Sequence, residues 1–257
     1  PRVRRQRQMC IRDSVYTLHD IRSDLYFDPL VAEAEQNPGP VSEPNIGDYY
    51  YVDGTWSSEL QKPCIGIVFK VESGTGDDAS NYGDKLADKK IHGYVVALQD
   101  AHEAVGIWGI RGQDVDNLPN EGSFTDKYNG YLNTQTVKAL PEFNEVDLAN
   151  PLSKDQYWAF KAASDYAANA PANSSGWYLP SIGQLQDIYT LSNRAELLIG
   201  AGGTDFKMSE NDGRYWSSTE YNGSDAWYYR FNGNGSERYA KGVEYQRYCY
   251  VRAVLTF

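Results

Sequence analysis

The chain has 257 residues with 24 basic and 35 acidic side chains, and 41% of its residues are hydrophobic. The acidic balance excludes nucleic acid as a partner, because phosphate binding requires a basic patch. No apolar run approaches the ~20 residues that a bilayer requires, so we expect no transmembrane segment. The length suffices for one domain with a sizeable core and an extension.

The chain opens with a basic stretch, RRQRQMCIRDS at residues 4–14, that resembles the translation of a transposon-based sequencing-library adapter. We therefore treat residues 1–14 as an artefact, leave them out of the fold prediction and expect them to pack against nothing. The alternative is a genuine basic arm. Because the segment holds five Arg and one Asp, the remaining chain carries 19 basic and 34 acidic side chains, a net charge near −15.

Residues 15–45 are predicted to be a linker or extension from a missing upstream domain. Four prolines and three glutamates make this stretch a poor core former, with a short helix allowed over Asp28–Glu35. The triplet Glu43-Pro44-Asn45 matches the sugar-binding signature of calcium-dependent lectins. It lies ahead of the predicted fold instead of inside a long loop, so we interpret it as a coincidence.

Strand patterns begin at Ile46, where the predicted main domain, residues 46–257, starts. Asp53-Gly54 is a strong turn pair between two of the strands. The polar residues 74–90 are predicted to be a loop, and residues 111–150 an irregular excursion with one helical turn near residues 136–140. The predicted strands are Gly47–Val52, Thr55–Ser57, Cys64–Val71, Ile91–Gln99 and Val105–Gly109.

Two helices follow, and each has a capping-box signal at its start. Ser153 and Gln156 predict a first helix that runs to about Ala170, and Ser181 and Gln184 predict a second that ends near Asn193. A further helical turn is expected at residues 195–199, before a glycine cluster. The order strands, helix, helix, strands predicts an α+β fold with short antiparallel sheets and two main helices, in which the first and last strands can pair.

The last 44 residues, Arg214–Phe257, read as short strands separated by Asn-Gly turns at residues 222–223, 232–233 and 234–235. Between Tyr221 and Tyr250 lie seven Tyr, together with many Asn, Ser, Gly and Arg. This composition is typical of paratopes, where Tyr supplies large contact area at little entropic cost. The alternative is a Tyr-rich sheet whose rings cover the core.

Two kinds of position alternate in this tail. Apolar residues, among them Trp216, Ala226, Trp227 and Phe231, are predicted to be scaffold. The polar and tyrosine positions are predicted to be displayed as a ligand-binding face, which consists of Tyr221, Asn222, Ser224, Asp225, Tyr228, Tyr229, Arg230, Asn232, Asn234, Ser236, Arg238 and Tyr239.

Catalytic and metal-binding patterns are missing from the sequence. Outside the first 14 residues only Cys64 and Cys249 remain, without metal-ligand spacing, and each lies in an apolar strand pattern that predicts a buried, unreactive thiol. We therefore predict no enzyme activity, no metal site and no cofactor. The main rival is a calcium cage built from an acidic loop, whose members would be Asp205, Glu210, Asn211 and Asp212.

Four short motifs carry a family resemblance over about residues 46–257. They are GWYLPSIGQL (176–185), YWSSTE (215–220), Ala226-Trp227 with Phe231, and YVRAV (250–254). The chain resembles the bacterial W-x-L-P/YWSSTE family with a C-type-lectin-like fold, which is related to formylglycine-generating enzymes and to retroelement-diversified variable proteins such as the phage major tropism determinant. The resemblance implies an exported, surface-displayed domain, often the carboxy-terminal module of a lipoprotein or fimbria-like protein.

Three functions are consistent with these features. The main prediction is a surface ligand-binding domain, adhesin-like or receptor-like, whose Tyr-rich face is open to diversification at AAY codons and whose partner is a protein or glycan. The alternatives are a calcium-dependent or glycan-binding lectin and a structural or tip module of a fimbria-like surface fibre. All three place the protein outside the cell or on its surface.

Overall fold

The computed structural model describes residues 43–154, 156–209, 213–233, 235–242 and 249–257, together with two short strands nearer the start. The chain divides into two compact units, Pro1–Ser42 and Glu43–Phe257. In the first unit β1 (Gln8–Ile11) pairs antiparallel with β2 (Ser14–Thr17). Part of the segment that we left out of the fold prediction therefore forms a hairpin strand. The helix predicted over residues 28–35 lies outside the described residues.

The second unit is an α+β domain, as the element order predicted. Its strands lie in two separate antiparallel sheets. The described strands are β3 (Tyr49–Tyr51), β4 (Trp56–Ser57), β5 (Cys64–Val71), β6 (Gly93–Ala97), β7 (Arg214–Glu220), β8 (Asp225–Arg230), β9 (Gly235–Ala240) and β10 (Val254–Thr256).

The larger sheet has the order β10-β6-β5-β3-β4. Strand β6, which lies between β10 and β5, is buried along its whole length, and Leu255 of β10 lies opposite Val95 of β6. The carboxy-terminal strand therefore pairs with the strand group that precedes the helices, but its partner is β6 and not the first strand of the domain, β3, as the element order had allowed. The strand predicted at Val105–Gly109 is wrong, because only an isolated bridge between Gly106 and Cys249 forms there.

The smaller sheet has the order β7-β8-β9 and contains the YWSSTE motif in β7. The turn between β8 and β9 uses Gly233 and Gly235 at φ +94° and +77°, which side chains rarely adopt. The turn between β7 and β8 is different, since Gly223 does not have the positive φ that tight Asn-Gly hairpin turns use. There the Asn222 side chain accepts hydrogen bonds from the backbone N–H groups of Ser224 and Asp225, at 2.8 Å each.

Four α-helices, rather than two main ones, occur among the described residues. They are α1 (Gly130–Lys138), α2 (Trp158–Ser164), α3 (Ile182–Leu191) and α4 (Ala195–Gly200). The excursion at residues 111–150 therefore holds a full helix. Helix α2 ends six residues before the predicted Ala170. Beyond its end, the Trp177 indole donates a hydrogen bond to the Ala168 carbonyl, which holds this part of the chain in a non-helical conformation.

The two capping-box signals had different outcomes. Ser181 forms the box at α3, where its hydroxyl accepts from the Gln184 N–H and the Gln184 side chain accepts from the Ser181 N–H. The box predicted at Ser153 is wrong. Helix α2 begins only at Trp158, and the Gln156 side chain instead accepts from the Asp147 N–H and donates to the Asn150 carbonyl.

This contrast yields a matched pair of variants. Ser181→Ala is expected to lower the free energy of unfolding by about 1–2 kcal/mol, because a buried cap and its N–H partner lose their hydrogen bond. Ser153→Ala, the same change in the same sequence pattern, is expected to stay within about 0.5 kcal/mol of the wild type. Urea denaturation of both variants measures the difference, and equal losses would contradict the assignment.

The core runs through both sheets in two aromatic-rich clusters. Trp216 is completely buried, as predicted for a scaffold tryptophan, and Trp177 is 7% exposed. Gly66 of β5 is needed for the close approach of β6, since a Cβ there would lie 2.4 Å from a Val95 methyl carbon. The Trp108 indole donates to the Ser217 carbonyl at 2.6 Å, which connects the segment before α1 to the YWSSTE strand within the unit Glu43–Phe257. None of the described helices is long and apolar enough to cross a bilayer.

Candidate binding face

The predicted ligand-binding residues lie on both faces of the small sheet. Successive side chains of a strand point to opposite faces. In β8, Trp227 and Tyr229 therefore share one face, and Ala226 and Tyr228 share the other. Both faces are covered by the protein, because each contributes to a different core cluster. The sheet is thus an inner layer of the domain, and its displayed surface is confined to its edges.

Tyr228 and Tyr229 are buried, so the prediction that they are displayed is wrong. Tyr228 is 1% exposed, and its hydroxyl donates to the Glu237 carboxylate at 2.5 Å. Burial, helped by this hydrogen bond, raises the pKa of Tyr228 to about 12. Tyr229 is 7% exposed and packs 5.4 Å from the Tyr189 ring of α3. Burial also raises the pKa of Tyr229.

The remaining predicted positions are placed as follows. Arg238 is exposed, and Asn234 lies outside the described residues. Arg230 is half-buried, with its Nε 3.5 Å from a Glu237 oxygen. The other half-buried positions are Tyr221, Asn222, Ser224, Asp225, Asn232, Ser236 and Tyr239. The tyrosines therefore do not form one contiguous exposed patch, although an accessible surface remains along β9.

A shallow cavity of about 240 Å³ opens beside this strand. It is lined by the half-buried Ser236 and Gly235, by the Tyr229 ring, and by two residues from elsewhere in the chain, Phe124 and Gln186. Phe124 is 40% exposed, unusual for a large apolar side chain in a polar loop. An aromatic wall with an amide and a hydroxyl beside it is typical of small-ligand and sugar-ring sites.

Next to the cavity lies a second aromatic feature. The Arg238 guanidinium stacks on the Tyr221 ring at 4.3 Å, and that ring meets the edge of Trp227 at 5.6 Å. The Trp227 indole donates to the Glu121 carbonyl at 2.7 Å, which ties the loop that carries Phe124 to the sheet. We call Phe124, Gln186, Ser236, Tyr221 and Arg238 together the β9 rim.

Sequence reasoning missed Phe124 and Gln186. Gln186 lies on the exposed side of α3, and its sequence neighbours carry no signal of a site. The signal for Phe124 was available in retrospect, because it is an aromatic residue in the Gly-Ser-rich part of a polar excursion. Only the tertiary structure brings both residues next to β9.

Metal and catalytic chemistry have little support among the described residues. No group of three or more His, Cys, Asp or Glu side chains there is arranged to hold a metal ion. Three of the four residues of the proposed calcium cage, positions 210–212, lie outside the described ranges. Cys64 and Cys249 are buried and unpaired, as predicted, and burial raises the pKa of both thiols. The reactive thiolate form is therefore disfavoured.

Comparison with known proteins finds similarity in both sequence and structure. No protein-family model matches the chain. The chain is 26% identical over 239 residues to a Bacteroides ovatus protein named as a fimbrium tip subunit, Fim1C, an alignment that covers 80% of this chain and 44% of the relative. A crystal structure of a fimbrial protein from Bacteroides ovatus ATCC 8483 has a TM-score of 0.58 at 21% identity, covering 83% of this chain and 49% of that one. The chain spans less than half the length of either relative, and it shares the fold of a fimbrial protein.

Proposed function

We propose that this chain is part of a tip subunit of a fimbria-like surface fibre, exported to the cell surface. The observation that carries the proposal is the similarity to a fimbrium tip subunit, which extends over 239 residues. The fold that the chain shares with a solved fimbrial protein supports it. These similarities favour the fibre-module alternative over a free-standing receptor, and the partners that follow from it are other fibre subunits.

The position in the fibre can be tested by electron microscopy. An antibody raised against residues 43–257 is expected to place immunogold particles at the distal ends of surface fibres on cells that make the protein. Labelling evenly along the fibre shaft would contradict a tip position. Absence of label on intact cells, with label in permeabilised cells, would contradict surface display.

A second function, ligand binding by the tip, is favoured by the β9 rim. The exposed Phe124 beside a cavity and the Arg238–Tyr221 stack are accessible aromatic features of the kind that dominate binding energy. We propose that any contact with a host glycan or protein uses this rim, on a C-type-lectin-like scaffold. Diversification by a retroelement would then be confined to accessible positions such as the half-buried Ser236 and the exposed Arg238, since random replacement of Tyr228 would open a cavity in the core.

The rim proposal predicts separate effects on binding and on stability. The double variant Phe124→Ala, Arg238→Ala is expected to reduce binding on a glycan array by at least about 30-fold, because hot-spot aromatic and Arg residues contribute about 2 kcal/mol or more each. Its stability should change by about 0.5 kcal/mol or less per site. Leu132→Ala, a similarly exposed apolar residue on α1, is the control and should bind normally. Normal binding by the double variant would remove the rim from the site.

The calcium-dependent lectin alternative remains a prediction and has its own test. Titration calorimetry with calcium chloride is expected to show no saturable heat. A stoichiometric binding isotherm that disappears in the variant Asp205→Asn would favour the lectin alternative instead, because carboxylate oxygens are the ligands that Ca²⁺ prefers.

A further inference from the structure

A buried lysine and a buried glutamate meet at the base of the β8–β9 hairpin. The Lys241 Nζ contacts the Glu220 Oε1, and both side chains have zero solvent exposure. Glu220 is the last residue of β7, and Lys241 follows β9 directly. Their backbones are also held, since Glu121 N–H donates to the Glu220 carbonyl at 2.9 Å and Trp108 N–H donates to the Lys241 carbonyl at 3.0 Å. The two side chains are thus fixed against each other.

The hydrogen-bond partners around this pair do not satisfy an ionised Glu220. The Glu220 Oε1 accepts from the Val115 N–H at 3.3 Å, but the Glu220 Oε2 is buried without a hydrogen-bond partner. Besides Glu220, Lys241 donates to the Gln113 carbonyl at 3.0 Å, and its Nζ lies 4.8 Å from the centre of the Trp108 ring. A buried carboxylate oxygen that has no donor is costly.

We propose that Lys241 and Glu220 are joined by an isopeptide bond, an amide between the lysine Nζ and the glutamate Cδ. A side-chain amide has one N–H and one carbonyl oxygen. The site supplies one matching acceptor, the Gln113 carbonyl, and one matching donor, the Val115 N–H. The oxygen that has no partner as an ion, Oε2, is the atom that leaves. The amide therefore satisfies the buried polar atoms that the ion pair does not.

The two side chains supply every atom of the reaction, and a backbone N–H of the site assists it. Burial raises the pKa of Glu220 and lowers the pKa of Lys241, which favours transfer of a proton from the ammonium to the carboxylate. The neutral amine then attacks Cδ, and the Val115 N–H stabilises the negative charge that develops on Oε1. The C–N bond forms, the Cδ–Oε2 bond breaks, and Oε2 leaves as water with one proton from the acid and one from the amine.

The bond would close a covalent loop around the whole of β8 and β9. As in a disulfide, such a cross-link limits the conformations of the unfolded chain between residues 220 and 241 and keeps the hairpin from opening. In a surface structure exposed to pulling forces, this would hold the β9 rim in place. The bond itself does not depend on the proposed fibre role.

Mass spectrometry of the full chain tests the proposal directly. The denatured protein is expected to weigh one water molecule less than its sequence, and tandem spectra of a tryptic digest should contain a branched peptide that joins residues 220 and 241, with no cleavage after Lys241. The full sequence mass, with cleavage after Lys241, would overturn the proposal.

Two variants separate this bond from other dehydrations. Lys241→Met should have its full sequence mass, because methionine has no amine. Lys161→Met, which removes a lysine from the exposed Lys161–Asp165 pair, should keep the loss of one water. A water loss that persists in Lys241→Met, for example from cyclisation at Asp53-Gly54, would overturn the proposal. Where Lys241→Met does not fold, the branched peptide of the wild-type chain decides.

Discussion

Replacing Tyr228 by Ala is expected to lower the free energy of unfolding by about 3–5 kcal/mol, the cost of a large cavity in an aromatic core. Its ring lies 6.0 Å from the Trp216 ring and 6.5 Å from the Tyr239 ring, and it is 1% exposed. The variant also leaves the Glu237 carboxylate without the hydroxyl that donates to it. Urea denaturation followed by tryptophan fluorescence measures the change.

Two further variants serve as comparisons for the stability of Tyr228→Ala. Phe231→Ala should lose a similar amount, because its ring packs 4.7 Å from Phe206 and 4.8 Å from Tyr215. Arg238→Ala, only ten residues further along the Tyr-rich tail, should stay within about 0.5 kcal/mol of the wild type, because Arg238 is exposed. If Tyr228→Ala unfolded like Arg238→Ala, Tyr228 would belong to the displayed surface after all.

Removing the buried cation at Arg252 is expected to lower the free energy of unfolding by as much as Tyr228→Ala does. Arg252 is completely buried in the YVRAV motif, and its Nε donates to the Asp100 carboxylate at 2.9 Å. Its other nitrogens donate to the carbonyls of Ala97, Thr204 and Asp205. Arg252→Ala removes the cation that pairs with the Asp100 carboxylate and the donor to three carbonyls, so we expect a loss of about 3–5 kcal/mol.

The exposed ion pair of Lys62 and Asp53 is the control for Arg252. These side chains are 42% and 49% exposed, so solvent screens their attraction. Lys62→Ala is expected to cost less than about 1 kcal/mol in the same denaturation experiment. A loss as large as that of Arg252→Ala would show that the exposed pair has a structural role. An Arg252→Ala variant of wild-type stability would show that the YVRAV arginine is not a core anchor.

The β9 rim and the buried Tyr residues change how the carboxy-terminal tail is understood. The composition of residues 221–250 is the same whether a Tyr ring is displayed or packed. Tyr has a large apolar ring and a polar hydroxyl, and it therefore suits a core position as well as a binding surface. In this domain Tyr228 and Tyr229 use the ring for packing, whereas Tyr221 remains half-exposed beneath the Arg238 guanidinium.

Features governed by local chemistry could be determined from the sequence by itself. The bounds of β5 at Cys64–Val71 follow from a dense apolar, β-branched run, and the start of α3 follows from the Ser181 and Gln184 box. The α+β class, the burial of Trp216, and the pairing of the last strand with the strand group before the helices also followed from pattern and order. In each case the signal lies within a few residues or in the order of elements.

The tertiary structure decided the features that depend on what covers a strand or a loop. Period-two alternation separates two faces of β8, but it does not say that both faces are covered, one by the main core and the other by α3. For the same reason, Ser153 and Ser181 have the same capping-box pattern in the sequence, but only Ser181 caps a helix. Phe124 and Gln186 lie beside β9, and Lys241 contacts Glu220, although these residues are far from their partners in the sequence. No local sequence pattern predicts such contacts.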